Sequence, residues 1–412
     1  MKLISTVCAI MIIYDGLWSY PIDGYPETGI RRLERLRLIQ TGDVSGKPPA
    51  PGALKTSSDI RLHLTGLSMA DTAKIWRRDA ALQKKVESLF RGRHGSYSVS
   101  LVVIKDGEPS GFASIKENTI YQPGSVAKIA VAAGLFAELK KIHPVSPEDR
   151  KKLLKTRMIV AEDWIISDHH EVPLFDVRTG KKAGRPIKLG DEFSLYEWTD
   201  HMLSASSNAA ASTVWKEAML MRAFGKDYPP SLEEEHRYFK ETPKQELVET
   251  AKSIVDGPFR ELGISPEEWK LGSFFTGTGK RKVPGGGTGG TTAGMLKILV
   301  AMERGLLVDA WSSLELKKLL YMTARRIRYA SSPVLAGHAV YFKSGSMYKC
   351  MPEPDFKCGK YRGNVHNYMN SVAVVERADG ITYLVALMSN VLRQNSAVEH
   401  QTLATMIERI IQ

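Results

Sequence analysis

Three short stretches of the chain carry residue types that can open an amide or an ester. In Tyr121-Gln-Pro-Gly-Ser125-Val-Ala-Lys128 a hydroxyl stands at the start of a helical pattern, and an amine follows one turn later on the same face. A serine hydroxyl is a poor nucleophile at neutral pH and needs a base; a lysine can be that base when burial and cationic neighbours lower its affinity for the proton. The free N–H groups of the helix start add a donor for an oxyanion. The plainer alternative is a helix cap followed by a solvent-facing lysine.

The second stretch, Leu203-Ser-Ala-Ser206-Ser207-Asn208, enters a helix through small residues. Ser206 offers a hydroxyl that can carry a proton to a leaving nitrogen, and Asn208 an amide that can position substrate; both could equally cap the helix. The third, Tyr341-Phe-Lys343-Ser344-Gly345-Ser346, is expected at the end of a strand. Lys343 and Ser344 supply a cation and a hydroxyl for a carboxylate, and Gly345 removes the side chain that would keep substrate from the strand edge. The backbone N–H of Ser346 can be a second oxyanion donor, although Lys343 could simply mark an edge strand.

The elements that must position these groups follow from periodicity. Ala70 to Arg91 reads as a helix with Ile75, Leu82, Val86 and Leu89 on its apolar side and Asp79 interrupting that stripe. Strands are expected at Ser96 to Ile104 and Ser110 to Ile115, joined by the Lys105-Asp106-Gly107 turn, and later at His338 to Phe342, Asn370 to Glu376 and Thr382 to Met388. Ser125 to Lys141 is a long apolar helix. Residues from there to about Leu320 are largely helical, apart from a charged excursion over Ser167 to Asp191 and a glycine-threonine loop at Gly285, and Ala397 to Ile411 closes the chain as a helix. Strands at both ends with helices between them imply an α/β (α+β) fold of two lobes: an antiparallel sheet flanked by helices, with a mostly helical lobe, about 142–320, inserted in it. The cleft between the lobes is the natural place for chemistry.

The chain has 412 residues, 43% hydrophobic and 25% charged, enough for one large or two modest cores. Its net charge of +12 would attract any polyanion, but no finger spacing, basic zipper or aromatic strand signature accompanies it, so no nucleic-acid partner is expected. Lys2 followed by apolar Leu3 to Tyr14 has the length of a secretory leader, with a cut after Ser19, and is too short to span a membrane. Removing residues 1–19 removes Cys8 and leaves Cys350 and Cys358, a pair suited to a disulfide in an oxidising compartment. A periplasmic or secreted protein without stable membrane insertion is therefore expected. Residues 20–64 read as an N-terminal arm and linker containing a basic amphipathic piece, Gly29 to Ile39, and residues 65–412 as the catalytic domain.

Ser125-Val-Ala-Lys128, Ser206-Ser207-Asn208 and Lys343-Ser344-Gly345 together resemble the signatures of the penicillin-recognising serine hydrolases, in particular the class A β-lactamases. Gly290-Thr-Thr-Ala-Gly-Met-Leu and Asn370-Ser-Val-Ala-Val-Val resemble further parts of that family, and the likeness runs from about Gly95 to the C-terminus. It implies an acyl-enzyme mechanism without a cofactor or metal. Ser125 would be the acylated nucleophile, Lys128 a proton acceptor and Ser206 the relay to the leaving nitrogen. Asn208 would hold the substrate amide, and Lys343 with Ser344 would take the carboxylate. The implied partner is a small β-lactam or a peptidoglycan-derived peptide. D-alanyl-D-alanine peptidase, esterase and non-enzymatic wall or β-lactam sensor are the other readings.

Two departures stand out. Ser206 lies 81 residues after Ser125 and Lys343 lies 137 after Ser206, both longer than is usual in class A enzymes. The first excess matches the Ile166-Ser-Asp168-His169-His170-Glu171 excursion, read as a polar loop or flap rather than a metal site. The second departure is the glutamate that activates the deacylating water in class A enzymes. The nearest likeness is Glu241-Thr-Pro-Lys-Gln245, and neither it nor Glu246 or Glu261 is a full match, so slow deacylation is expected.

Overall fold

The computed structural model describes residues 23–46, 51–68 and 71–411. The proposed leader, with Cys8, lies outside them. Five strands build the main antiparallel sheet: β1 (Ser98–Lys105), β2 (Glu108–Ile115), β3 (Ala339–Lys349), β4 (His366–Glu376) and β5 (Thr382–Asn390), in the spatial order β2-β1-β5-β4-β3. β5 is central because both of its faces are apolar. Tyr383, Val385 and Leu387 pack beneath the helices Ala80–Phe90 and Ala397–Ile410, while Leu384, Ala386 and Met388 face the core shared with the rest of the helices. Period-2 alternation with no polar face is what a strand covered on both sides requires. Each buried Val or Leu side chain there contributes about 1.5–3 kcal/mol by leaving water.

The second lobe is helical around Leu195–Leu203, Asn208–Phe224 and Lys244–Glu261, and it is joined to the sheet by the buried helix Lys128–Ile142. It also holds short strand pairs, which helical propensity alone does not reveal. The charged excursion forms a hairpin, Val172–Phe175 against Lys182–Arg185. Its turn is closed by the Asp176 carboxylate, which accepts from the backbone N–H groups of Arg178 and Thr179.

Two sequence expectations are corrected by local chemistry. The 70–91 helix is broken into Thr72–Ile75 and Ala80–Phe90 because Asp79 is an N-cap, its carboxylate accepting from Leu82 N at 2.6 Å. The third motif lies within β3 rather than at its end, for the strand runs on to Lys349 through residues of low strand propensity.

The arm packs on the helical lobe. Its helix Arg31–Thr41 buries Leu33, Leu36 and Ile39 in the main core, preceded there by Ile30, and Arg32 grips both carboxylate oxygens of buried Asp200 at 2.6 Å. Arg31 forms a second two-pronged pair with Glu197. These bonds fix the arm against the helix Leu195–Leu203, whose end leads directly into Ser206.

Candidate active site

Ser125 sits in a 3-10 turn, Gly124–Ala127, and Lys128 opens the helix that continues from it. Gly124 has φ +55°, a left-handed conformation that glycine adopts without cost. The approach to the turn is pinned by Asn370 on β4, whose side-chain N–H donates to the Gln122 carbonyl at 2.8 Å. Ser125 is half-buried and open to the cleft, whereas Lys128 is fully buried.

The Lys128 amine lies 3.0 Å from Ser125 Oγ, 2.5 Å from the Ser206 carbonyl oxygen, 2.7 Å from Asn208 Oδ1 and 3.4 Å from Ser206 Oγ. A neutral amine has two N–H groups and one lone pair. The Ser206 carbonyl and the Asn208 amide oxygen take the two N–H groups, so the lone pair is turned towards the Ser125 hydroxyl. Burial pushes the Lys128 pKa down to about 7, against the opposing attraction of the Asp168 carboxylate. The amine is thus neutral in a large fraction of molecules at physiological pH.

Ser206 is held with φ +62°, a strained conformation for a residue with a side chain. It lies between the end of Leu195–Leu203 and the start of Asn208–Phe224. The cap of the latter helix is Ser207, whose hydroxyl accepts from Ala210 N, which leaves Ser206 and Asn208 free of that task. Asp168, from the excursion, accepts from Ser207 Oγ and Ala209 N at 2.8 Å each and is joined to His170 Nδ1 at 2.6 Å. Burial works to raise the Asp168 pKa, but the His170 and Ala209 bonds outweigh it and hold the group well below the usual carboxylate range. Asp168 is therefore a fixed anion behind the helix start that carries Asn208.

β3 is an edge strand and presents the third motif. Lys343 is buried, and its amine donates to Ser206 Oγ at 2.8 Å and to the Ser344 carbonyl at 3.1 Å. Burial, then repulsion from Lys128 and Arg328, holds its pKa well below that of a free lysine. Arg328 donates to the Gly345 carbonyl at 2.9 Å and to Ser346 Oγ at 3.0 Å, adding a second cation at this strand. A Cβ on Gly345 would run into the Pro123 carbonyl and come within 2.8 Å of the Ser125 and Val126 backbone nitrogens. A Cβ on Gly124 would lie 2.8 Å from both the N and the O of Ser346. The edge peptide of Ser346 therefore faces the Ser125 turn, an arrangement in which two N–H groups can converge on one oxygen.

On the remaining side Phe275 closes over the lysine, with the Lys128 amine 5.0 Å from its ring centroid. Glu241, Glu246 and Glu261 are all exposed, and Gln245 bonds to Glu249 on its own helix. Among the described residues no three His, Cys, Asp or Glu side chains come together as metal ligands. Cys350 and Cys358, just beyond the site on β3, are joined in a disulfide.

The fold has solved counterparts. A β-lactamase from Chitinophaga pinensis aligns with a TM-score of 0.51 at 13% identity, over 81% of this chain and 98% of its own. The extended-spectrum β-lactamase TLA-3 aligns at 0.52 and 13% identity, over 80% and 97%. The chain has the β-lactamase fold. No family model matches its sequence, and no curated protein does so significantly. A third structure, the TLA-1 extended-spectrum β-lactamase, aligns at 0.50 and 12% identity, over 81% and 98%.

Within this fold, Ser125, Lys128, Ser206, Asn208, Lys343, Ser344, Gly345 and Ser346 come to one cleft. Asp168, Arg328 and Phe275 join them without having been singled out as site residues. Asp168 had a weak signal, an acidic residue in the stretch that makes the spacing too long. Arg328 and Phe275 had none.

Replacing Ser206 with glycine is expected to keep the backbone, since glycine accepts φ +62°, and to remove only the hydroxyl. Melting temperature should hold or rise while acylation by a lactam falls about 10²- to 10⁴-fold. Measuring both on one preparation checks it; loss of stability without loss of rate would reduce Ser206 to a structural role.

Proposed function

We propose that the chain is an exported serine hydrolase that forms an acyl-enzyme at Ser125 with a β-lactam or a peptidoglycan-derived peptide. The observation that carries this reading is the buried Lys128 amine, its two N–H groups engaged and its lone pair directed at Ser125 Oγ 3.0 Å away. A helix cap or a solvent-facing lysine would need none of that. In the proposed step Ser125 Oγ bonds to the carbonyl carbon as its proton passes to Lys128. The oxyanion rests between the N–H groups of Ser125 and Ser346. The C–N bond then breaks, and a proton reaches the departing nitrogen through Ser206 Oγ, which lies between the Lys128 and Lys343 amines. Lys343, Ser344 and Arg328 are suited to the substrate carboxylate, whose arrival supplies the counter-charge that buried Lys343 lacks. Asn208 has its Oδ1 on Lys128 and its amide N–H groups left to orient the substrate. The Cys350–Cys358 disulfide and the apolar leader sequence support export to a periplasm or beyond the cell.

Deacylation is proposed to be slow. Hydrolysis of the ester needs a positioned base to activate water, worth about 10²- to 10⁴-fold, and the glutamates the sequence offers for that task, Glu241, Glu246 and Glu261, all stand exposed to solvent. Mixing with a chromogenic lactam in a stopped-flow instrument is expected to give a burst equal to the enzyme concentration and then a much slower steady rate. Fast linear turnover without an accumulated acyl-enzyme would contradict it.

A further inference from the structure

A cavity of about 590 Å³ opens beside Ser206, Lys343 and Ser344 and extends away from the nucleophile: Ser125, Lys128, Asn208 and Ser346 do not line it. It is thus continuous with the half of the cleft where the departing group is protonated. Two of its walls come from the parts of the chain that lengthen it, the arm helix Arg31–Thr41 and the hairpin Val172–Phe175/Lys182–Arg185. Its surface combines apolar residues, Leu36, Leu174 and Ile327, with the cations Arg35, Lys182 and Arg325. Arg32 also lines it but is neutralised by Asp200, and Glu171 is its single carboxylate. Among the described residues none of Arg35, Lys182 and Arg325 forms an ion pair with an acid of this chain, and Arg325 and Lys182 are exposed to solvent.

An apolar chamber with unpaired cations, placed on the leaving-group side, fits a ligand that brings both an apolar arm and an anion. We infer that this cavity is a leaving-group subsite for acyl donors whose departing half extends beyond the carboxylate taken at Lys343 as an apolar arm ending in a second acid. The inference rests on the reading of Ser125 as nucleophile and Ser206 as proton donor. The arm and the hairpin would then set substrate choice. Acylation by such a donor balances as before: the Ser125 Oγ–carbonyl bond forms, the bond to the departing oxygen or nitrogen breaks, and the serine proton leaves on that atom.

The test uses three ester donors with one common acyl group. Their departing alcohols are a short hydroxy acid, the same acid with a neutral apolar extension, and the same acid with an apolar extension ending in a carboxylate. Acylation is read as the second-order rate of appearance of the Ser125 adduct by intact mass. The acid-terminated donor is expected to react at least about tenfold faster than the short one, with the neutral extension between them. Lys182→Gln with Arg325→Gln should erase the advantage of the terminal acid and leave the short donor unchanged. Lys182→Glu with Arg325→Glu should invert the preference towards an amine-terminated extension, which general damage to the fold would not do. Equal rates for all three donors, with the short donor acylating Ser125 normally, would overturn the subsite and leave the proposed function standing. Failure to invert would do the same. Absence of any Ser125 adduct would overturn both.

Discussion

Replacement of Lys128 by methionine is expected to slow acylation of Ser125 about 10²- to 10⁴-fold, the range for loss of a positioned general base, without unfolding the protein. Methionine has a similar length and suits a fully buried position better than an amine does. The pH profile gives the sharper readout. Because burial brings the Lys128 pKa down to about 7, the amine is neutral and able to accept the serine proton above that pH, and charged below it. The acylation rate of the unmodified protein should therefore fall about tenfold per unit as pH drops below 7, and level off above it. The methionine variant should lose that limb altogether. Acylation rates from pH 5 to 9 by quenched mass measurement check both, and an unchanged limb in the variant would assign the titration to another group.

The second large effect belongs to Gly345. An alanine there would drive its Cβ into the Pro123 carbonyl and the Ser125 and Val126 backbone nitrogens, and β3 is tied to β4 along eleven residue pairs, so the strand cannot simply shift. What gives way is the fit between the Ser346 peptide and the Ser125 turn. Loss of one oxyanion donor costs about 10²- to 10³-fold, and displacement of the turn disturbs the second donor as well, so Gly345→Ala should fall at or beyond the upper end of that range. Acylation rate and melting temperature measured side by side would check it. A variant that melts normally and acylates at the native rate would remove the close approach from the account of the oxyanion site.

The contrast between Lys128 and Arg328 explains what could be read from the sequence. Ser125 and Lys128 are one helical turn apart, so the residue types and the interval between them already state the chemistry. Ser206 with Asn208 and Lys343 with Gly345 are likewise compact, and the three groups meet because the helix Lys128–Ile142, the loop before Asn208–Phe224 and the edge strand β3 border one cleft. Arg328 reaches β3 from a short helical turn between elements, and Asp168 reaches Ser207 from 39 residues away; no local pattern announces either. The sheet was legible where apolar residues alternate, as in β1 and β5. It was obscured along β3, where Lys343, Ser344, Gly345 and Ser346 sacrifice strand propensity to line the cleft. Asp79 failed in the opposite sense: a side chain that reads as a flaw in an apolar stripe is the cap that starts a helix. The hairpin at Val172 and the placement of the arm helix depend on contacts between distant segments, so the sequence offers only a polar loop or flap for the first and a basic amphipathic piece for the second.

The central claim is that Ser125 is the residue acylated. Intact mass measured seconds after mixing with penicillin, followed by peptide mapping of the adduct, tests it most directly. One acyl group per chain, located on the peptide containing Ser125 and missing in Ser125→Ala, is the predicted result. An adduct that persists in Ser125→Ala, or a native chain that stays unmodified while the lactam is hydrolysed, would contradict it.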